Sequence, residues 1–279
     1  ENRINQSVYF NISIPSKKTK IFRVNYYGIN HYGIFEQSNN KNVKKKLIIY
    51  NQGHLGNPYN KEYFIKMKNK FLNNSFDIFS LGMLGRGVNY EAEVKYPNTS
   101  EKYSLLTYNH ENIKYFYDYK FPNKKPMSIF LSGNYFLIKN LLKSESYDEV
   151  IFVGVSGGGM YGKIFSSLFD QINSTYIFNG SAPCFLHIFV DTKGDWENCE
   201  KSLYGNINTW QFYRMASNNK KLILVYNKKD KCCYRDPTAS IMFEIGKRLN
   251  DENFKVVTYS KSKFHGVNID ILFDDFELK

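Results

Sequence analysis

A serine between glycines joins an apolar run to a segment of helical spacing, and this junction restricts the fold more than any other part of the chain. Residues 150–153 (VIFV) lead directly into residues 154–158 (GVSGG). Behind them the apolar residues recur at the period of a helix, namely Met160, Ile164, Phe165, Leu168 and Phe169. The pattern predicts a buried strand, a sharp turn with Ser156 at its apex, and a helix.

The G-x-S-x-G spacing is typical of a nucleophilic serine held at a strained turn. A side chain at Gly154 or Gly158 would collide with the neighbouring strand or helix, which explains the need for glycine. The helix that begins behind Ser156 would direct backbone N–H groups toward an anion forming beside the serine. The five residues alone fit a Gly-rich turn with an incidental serine equally well, so the rest of the chain has to distinguish the two interpretations.

An acid and a histidine follow in the order that a catalytic triad of this kind requires. Residues 221–226 read as a buried strand that ends just before Asp230, and the strand 254–259 is followed by His265. Ser156 would attack the substrate, His265 would take and return the proton, and Asp230 would fix the imidazole tautomer. Alone, Asp230 could be a solvated loop acid and His265 a surface histidine, but their joint positions past strand ends favour a triad. Two upstream residues are the next candidates for the acid: Asp191 and Asp195.

Strands that alternate with helices predict an α/β fold with a mostly parallel central sheet and helices on both faces. At 279 residues and 42% hydrophobic content, we expect a single domain over residues 1–279. Residues 1–45 predict an antiparallel meander at one sheet edge, and 86–125 and 183–218 predict irregular, cap-like insertions near the active-site mouth. The expected strands are 46–50, 76–81, 150–153, 174–179, 221–226 and 254–259, and the expected helices are 61–72, 127–143 and 237–249.

The turn, acid and histidine together resemble the α/β-hydrolase superfamily, over roughly residues 46–270. The resemblance implies a serine hydrolase, and we expect it to need no cofactor. It also implies an oxyanion hole, with the N–H of Gly157 as one donor. The second donor would come from the loop after strand 46–50, through the N–H of His54 or, as the alternative, of Gly53. The His54 side chain is expected to hold this loop rather than to act as a base.

Five short blocks are similar to a group of bacterial hydrolase-like proteins associated with cell-surface polysaccharide genes. The blocks are residues 50–54, 155–159, 180–183, 194–197 and 230–234. The likeness implies a shared active-site rim that includes Cys232, Cys233 and the Gly-Asp-Trp-Glu segment 194–197. The chain departs from many of these relatives at Gly159-Met160, where they carry an aromatic residue, so the shape of the pocket is not carried over.

The net charge of +12 invites a nucleic-acid partner, but the lysines are scattered through loops. No helix or repeat gathers them, so we expect no nucleic-acid binding and instead a basic surface suited to anionic glycans or lipid head groups. No apolar run approaches the ~20 residues that span a bilayer, so we expect no membrane span.

All four cysteines, Cys184, Cys199, Cys232 and Cys233, lie in the second half of the chain. They show neither Cys-x-x-Cys spacing nor paired histidines, so no zinc site is expected. Adjacent cysteines could bond to each other only through an eight-membered ring, which favours bridges from Cys232 and Cys233 to Cys184 and Cys199. Disulfides predict a periplasmic or extracellular protein, whereas four free thiols would suit the cytoplasm.

Together these features predict a serine hydrolase that cleaves a carboxylic ester through an acyl-enzyme. Its substrate would be a small-molecule or glycan ester, with de-O-acylation of a glycan as the specific expectation. The alternatives are an acyltransferase that moves the acyl group to a sugar hydroxyl, and a non-catalytic binding module on a hydrolase fold. The intact set of Ser156, Asp230 and His265 disfavours the binding module.

Overall fold

A computed structural model describes residues 19–26, 29–38, 44–54, 57–84, 89, 93–95, 102–104, 126–189, 199–261 and 263–277. The chain divides into two compact units, Glu1–Asp148 and Glu149–Lys279. Among the described residues no helix is both long and apolar enough to cross a membrane.

The first unit contains four main strands in the spatial order β1-β2-β4-β3. They are β1 (Thr19–Tyr26), β2 (Ile29–Glu36), β3 (Lys46–Gln52) and β4 (Phe76–Gly82). β1 pairs antiparallel with β2, which pairs antiparallel with β4, whereas β3 and β4 run parallel. The antiparallel amino-terminal edge is therefore confirmed from Thr19 onward, and the part of the predicted meander before it lies outside the described residues. β3 and β4 are buried along nearly their whole length, as their continuous apolar sequences predict.

Two helices accompany these strands. α1 (Glu62–Asn73) packs against β4 and buries Phe64, Met67 and Phe71, and α2 (Pro126–Ser144) packs along β1 and β2. Both lie within one residue of their predicted bounds at each end. Within the predicted insertion 86–125, the described residues include a small antiparallel pair, β5 (Glu93–Lys95) and β6 (Lys102–Ser104).

The described residues of the second unit form four parallel strands in the order of the chain. They are β7 (Glu149–Val155), β8 (Ser174–Phe178), β9 (Lys221–Asn227) and β10 (Phe254–Tyr259). α3 (Gly157–Leu168) packs against β7 and β8, and α6 (Thr238–Leu249) packs against β10. Because the strands are parallel, their carboxyl ends meet at one edge, so the residues that follow β7, β8, β9 and β10 come from the same end of the sheet.

The region 183–218 was predicted to be irregular, and this prediction is wrong for much of it. It contains a 3-10 helix at Cys184–Phe189, a short α4 (Lys201–Tyr204) and α5 (Thr209–Ser217). A capping box explains the start of α5, because the side chains of Asn208 and Gln211 each accept a hydrogen bond from the other's backbone N–H. Residues 190–198 lie outside the described part of the chain. A final helix, α7 (Ile269–Asp275), was also not predicted.

Candidate active site

Ser156 lies between the end of β7 and the start of α3, at the turn that the sequence predicts. Its backbone angles are φ 54° and ψ −128°, which place a residue with a side chain in a strained conformation. Two hydrogen bonds hold it there: its N–H donates to the Phe178 carbonyl at 2.9 Å, and its own carbonyl accepts from the Gly159 N–H at 2.8 Å. The main chain around the serine is therefore fixed from both sides.

Two glycines make room for this turn. A Cβ on Gly154 would lie 2.5 Å from the carbonyl oxygen of Gly158 and 2.9 Å from the Cα of Gly159, so the helix start leaves no space for a side chain. This confirms the steric reason for the first glycine of the motif. A Cβ on Gly180, just after β8, would meet the carbonyl oxygen of Ser156. Any larger residue at position 180 would push the serine out of its turn.

Asp230 and His265 are in direct contact. The Nδ1 atom of His265 lies 2.7 Å from the Oδ2 atom of Asp230, and both side chains are almost fully buried, with exposures of 1% and 0%. This distance suits a hydrogen bond from a protonated Nδ1 to a carboxylate oxygen, which can only accept when it is ionised. The other carboxylate oxygen, Oδ1, accepts from the Cys232 N–H at 2.6 Å. Both oxygens of Asp230 are thus engaged, and the ring of His265 is oriented by one of them.

The second ring nitrogen of His265, Nε2, is buried and has no hydrogen-bond partner among the described residues. It is therefore available to accept a proton. No hydrogen bond joins it to Ser156 in this structure, although catalytic contacts are often long without substrate and tighten when substrate binds. Ser156, Asp230 and His265 all belong to the second unit and follow β7, β9 and β10, respectively. Their roles remain predictions.

The predicted oxyanion-hole donors lie at two strand ends. Gly157 is the first residue of α3 and is buried, and the first N–H groups of a helix have no partner within the helix. Gly53 is buried and His54 is half-buried in the loop that follows β3. Leu55 and Gly56, which continue this loop, lie outside the described residues. The assignment of Gly157, His54 and Gly53 as donors remains a prediction, and so does the alternative acid at Asp191 or Asp195, which also lie outside the described part.

The cysteines pair as Cys184–Cys199 and Cys232–Cys233. The predicted bridges between the two pairs are therefore wrong. The reason is local geometry, because the Cα atoms of Cys184 and Cys199 lie 5.1 Å apart, within the range a disulfide needs. Cys232 and Cys233 bridge each other in the turn after Asp230, so the acid's loop is not tied to another element by these cysteines.

A second feature that the sequence analysis missed is the support behind the serine turn. Asn179 and Ser181 flank Gly180 and both have positive φ angles, 47° and 59°. The Ser181 carbonyl accepts hydrogen bonds from the hydroxyls of Tyr213 and, at 3.2 Å, of Tyr226. Burial raises the pKa of both phenols well above the ordinary value of 10.0, so they stay protonated and keep donating. These bonds hold segment 179–181 against the backbone of Ser156.

No family model matches the chain, and no curated protein sequence matches it. Solved structures do resemble it. Est1E from Butyrivibrio proteoclasticus, with ferulic acid bound, has a TM-score of 0.61 at 14% identity, and the match covers 92% of this chain and 98% of that one. An esterase from Pyrococcus furiosus has a TM-score of 0.56 at 12% identity over 93% of this chain and 88% of that one. The esterase domain of a Rhodothermus marinus protein has a TM-score of 0.51 at 10% identity, covering 88% and 87%.

At such identities the likeness concerns the fold alone. The mostly parallel strands, the antiparallel amino-terminal edge and the accompanying helices are those of the fold that the sequence predicts. The chain has the α/β-hydrolase fold.

Proposed function

We propose that the protein is a serine hydrolase that cleaves a carboxylic ester through an acyl-enzyme. The observation that carries the proposal is the buried hydrogen bond between His265 Nδ1 and Asp230, which leaves Nε2 as an available base. The strained, glycine-flanked turn at Ser156 supplies the matching nucleophile. The esterases among the similar structures support the same class of reaction.

In the first half of the reaction, Nε2 of His265 takes the proton of the Ser156 hydroxyl as the serine oxygen attacks the ester carbonyl. Asp230 stabilises the imidazolium that forms. The tetrahedral oxyanion is held by the N–H groups of Gly157 and of His54, or of Gly53 as the alternative. One such donor is worth about 3 kcal/mol of transition-state stabilisation. The imidazolium then returns its proton to the departing alcohol, which leaves an acyl group on Ser156.

In the second half, His265 removes a proton from water, the hydroxide attacks the acyl-enzyme, and the carboxylic acid leaves as Ser156 recovers its proton. We propose a glycan as the alcohol part of the ester, in keeping with the basic surface and the resemblance to proteins of polysaccharide gene groups. Est1E, which binds ferulic acid, is consistent with a carboxylic acyl group. The two disulfides support a site of action outside the cytoplasm.

A fluorophosphonate probe tests the nucleophile directly. We expect one covalent adduct by intact-mass spectrometry and none on Ser156→Ala. Ser166→Ala is the matched control, because Ser166 is a buried serine within α3, the helix that begins directly after Ser156, and its hydroxyl bonds to Thr175. This variant should be labelled like the wild type. A folded wild-type protein that gains no adduct would contradict the enzymatic proposal and favour a binding module.

Acetylated sugars and p-nitrophenyl esters of short and long chain then define the substrate. Release of free acid indicates hydrolysis, whereas an acyl group recovered on an added sugar indicates acyl transfer. Both outcomes proceed through the acyl-enzyme. The labelling experiment therefore tests whether Ser156 is the nucleophile, and the product analysis tests whether water or a sugar accepts the acyl group.

A further inference from the structure

Asn227, the last residue of β9, is fully buried and uses the whole hydrogen-bonding capacity of its side chain. Its Nδ2 group donates to the carbonyls of Lys261 at 2.8 Å and Phe264 at 2.7 Å. Its Oδ1 atom accepts from the N–H groups of Lys261 at 3.0 Å and Lys229 at 3.1 Å. An amide has two N–H donors and one oxygen with two lone pairs, so no capacity remains. One side chain thus joins the loop that precedes Asp230 to the loop that precedes His265.

Asn179, which follows β8, extends this network by one strand and is also fully buried. Its Oδ1 atom accepts from the backbone N–H of Asn227 at 2.8 Å, and its Nδ2 group donates to the Gly266 carbonyl at 3.3 Å. The carbonyls on both sides of His265, those of Phe264 and Gly266, are therefore each held by an asparagine amide from another strand end.

The sheet ladder itself does not reach this far. Among the described residues, the last backbone hydrogen bond between the two strand ends runs from the Lys228 N–H to the Tyr259 carbonyl at 2.8 Å. Beyond it, the two asparagine side chains hydrogen-bond to the backbone at residues 261, 264 and 266. These amide hydrogen bonds hold the chain on both sides of His265.

We infer that Asn227 and Asn179 are positioning residues that fix the His265 imidazole at hydrogen-bond distance from Asp230. The expected effect of this geometry on catalysis rests on the proposed function. Only an amide can serve at position 227, because two carbonyl oxygens and two N–H groups face it. A carboxylate of the same size keeps the two acceptor bonds, loses both donor bonds and repels the Lys261 and Phe264 carbonyls. Displacement of a catalytic group by about 1 Å lowers the rate about 100-fold.

Asn227→Asp is the decisive variant, and Asn179→Asp is a milder second one because it keeps the bond to the Asn227 N–H and loses only the bond to Gly266. The matched control is Asn173→Ala. The Asn173 side chain accepts from the Val150 N–H at 2.7 Å at the opposite, amino ends of the strands, so its loss costs a hydrogen bond without touching either loop. All three are compared at temperatures where circular dichroism shows the native fold.

Two readouts separate positioning from mere stabilisation. We expect Asn227→Asp to lower kcat about 100-fold and Asn179→Asp about 10-fold, each with KM within about twofold, while Asn173→Ala keeps the wild-type kcat. Proton NMR reports the ring proton between His265 and Asp230 as a separate downfield signal, identified by its loss in His265→Gln. We expect this signal to disappear in Asn227→Asp, to weaken in Asn179→Asp and to persist in the control.

The two readouts also distinguish failure of this inference from failure of the proposed function. If the wild type is active but both asparagine variants match the control in kcat and keep the ring-proton signal, the inference is overturned and the proposed function stands. If the wild type neither reacts with the probe nor turns over esters, yet Asn227→Asp loses the signal, the positioning role stands and the catalytic proposal fails. If Asn227→Asp does not fold, the same comparison is decided by Asn179→Asp.

Discussion

Each unit of the molecule buries a histidine, and the two rings have opposite surroundings. His31, on β2, is 1% exposed and lies against α2 so closely that a Cβ on Gly133 would overlap its ring. Its Nε2 atom has no hydrogen-bond partner among the described residues, and burial lowers its pKa from 6.5 to about 4. His265 is similarly buried, but its Nδ1 atom lies 2.7 Å from the Oδ2 atom of Asp230.

The comparison shows that burial alone does not make a histidine a base. Around His31 burial favours the neutral ring, because no charged partner among the described residues compensates for the lost hydration of the charged form. Around His265 a carboxylate oxygen of Asp230 is in hydrogen-bond contact with Nδ1, and Nε2 has no partner among the described residues. The first ring fills space in a helix–sheet interface, and the second is the proposed base. The difference comes from a single acidic side chain.

The largest expected effect comes from removing the second ring. His265→Ala should lower kcat by a factor on the order of 10⁵ to 10⁶, as Ser156→Ala should, because members of a catalytic triad act as a unit. His31→Gln, which replaces the ring that packs without a charged partner, should leave kcat nearly unchanged in protein that is still folded. Steady-state assays with a chromogenic ester measure both.

The same assay locates the acid. Asp230→Asn should lower kcat by about 10⁴, because it leaves His265 in the wrong tautomer. Asp236→Asn is the matched control, since Asp236 instead caps the start of α6 by accepting from Ser240. Near-normal turnover of Asp230→Asn would mean that Asp230 is not what distinguishes His265 from His31. The acid would then have to be sought at Asp191 or Asp195.

The next largest effect is on the free energy of unfolding, and it comes from His31. Its folded pKa of about 4 lies below its ordinary value of 6.5, so between these values the unfolded chain binds more protons than the folded one. Stability from this group is complete above pH 6.5 and is lost as the pH falls toward 4, by about 3 kcal/mol in total.

Urea unfolding at pH 7 and pH 4 measures this loss. His31→Gln cannot gain a proton and should lose about 3 kcal/mol less than the wild type over the same interval. Equal losses in the two proteins would mean that the buried ring does not set the acid sensitivity.

The sequence could predict those parts of the site that depend on local chemistry. The turn at Ser156 follows from short-range sterics at Gly154, and the strands that carry Asp230 and His265 follow from apolar runs. The roles of Asn179 and Asn227 could not be predicted, because all their partners except Lys229 lie 34 to 87 residues away and depend on which strand ends become neighbours. The helix at Thr209–Ser217 could have been predicted, since its capping box appears in the sequence as Asn208 and Gln211.

The cysteine pairing was mispredicted for a related reason. A bridge forms where two Cα atoms come together, and the sequence pattern does not show that Cys184 and Cys199 lie 5.1 Å apart. Sequence spacing ranks candidate pairs only when the loop path is known.

The remaining predictions concern the two disulfides, of which Cys232–Cys233 has the smallest expected effect on stability, and they test how firmly the partner of His265 is held. Peptide mapping under non-reducing conditions should recover Cys184–Cys199 and Cys232–Cys233 as separate bridges. Cys184→Ser/Cys199→Ser opens a loop with a sequence separation of 15 and should cost about 3 kcal/mol of unfolding free energy. Cys232→Ser/Cys233→Ser opens only the ring between neighbours and should cost about 1 kcal/mol.

The Cys232–Cys233 variant should nevertheless be the one that changes turnover, by a few-fold, because the Cys232 N–H donates to Asp230 and the bridge holds this turn. The Cys184–Cys199 variant should keep its kcat despite the larger loss of stability. The Cys184–Cys199 variant should thus lose more stability, and the Cys232–Cys233 variant should lose more activity. Chemical denaturation and an ester assay on the same samples measure both losses. If the order of the activity effects is reversed, Asp230 owes its position to the contact with His265 and to the asparagine network rather than to its own turn.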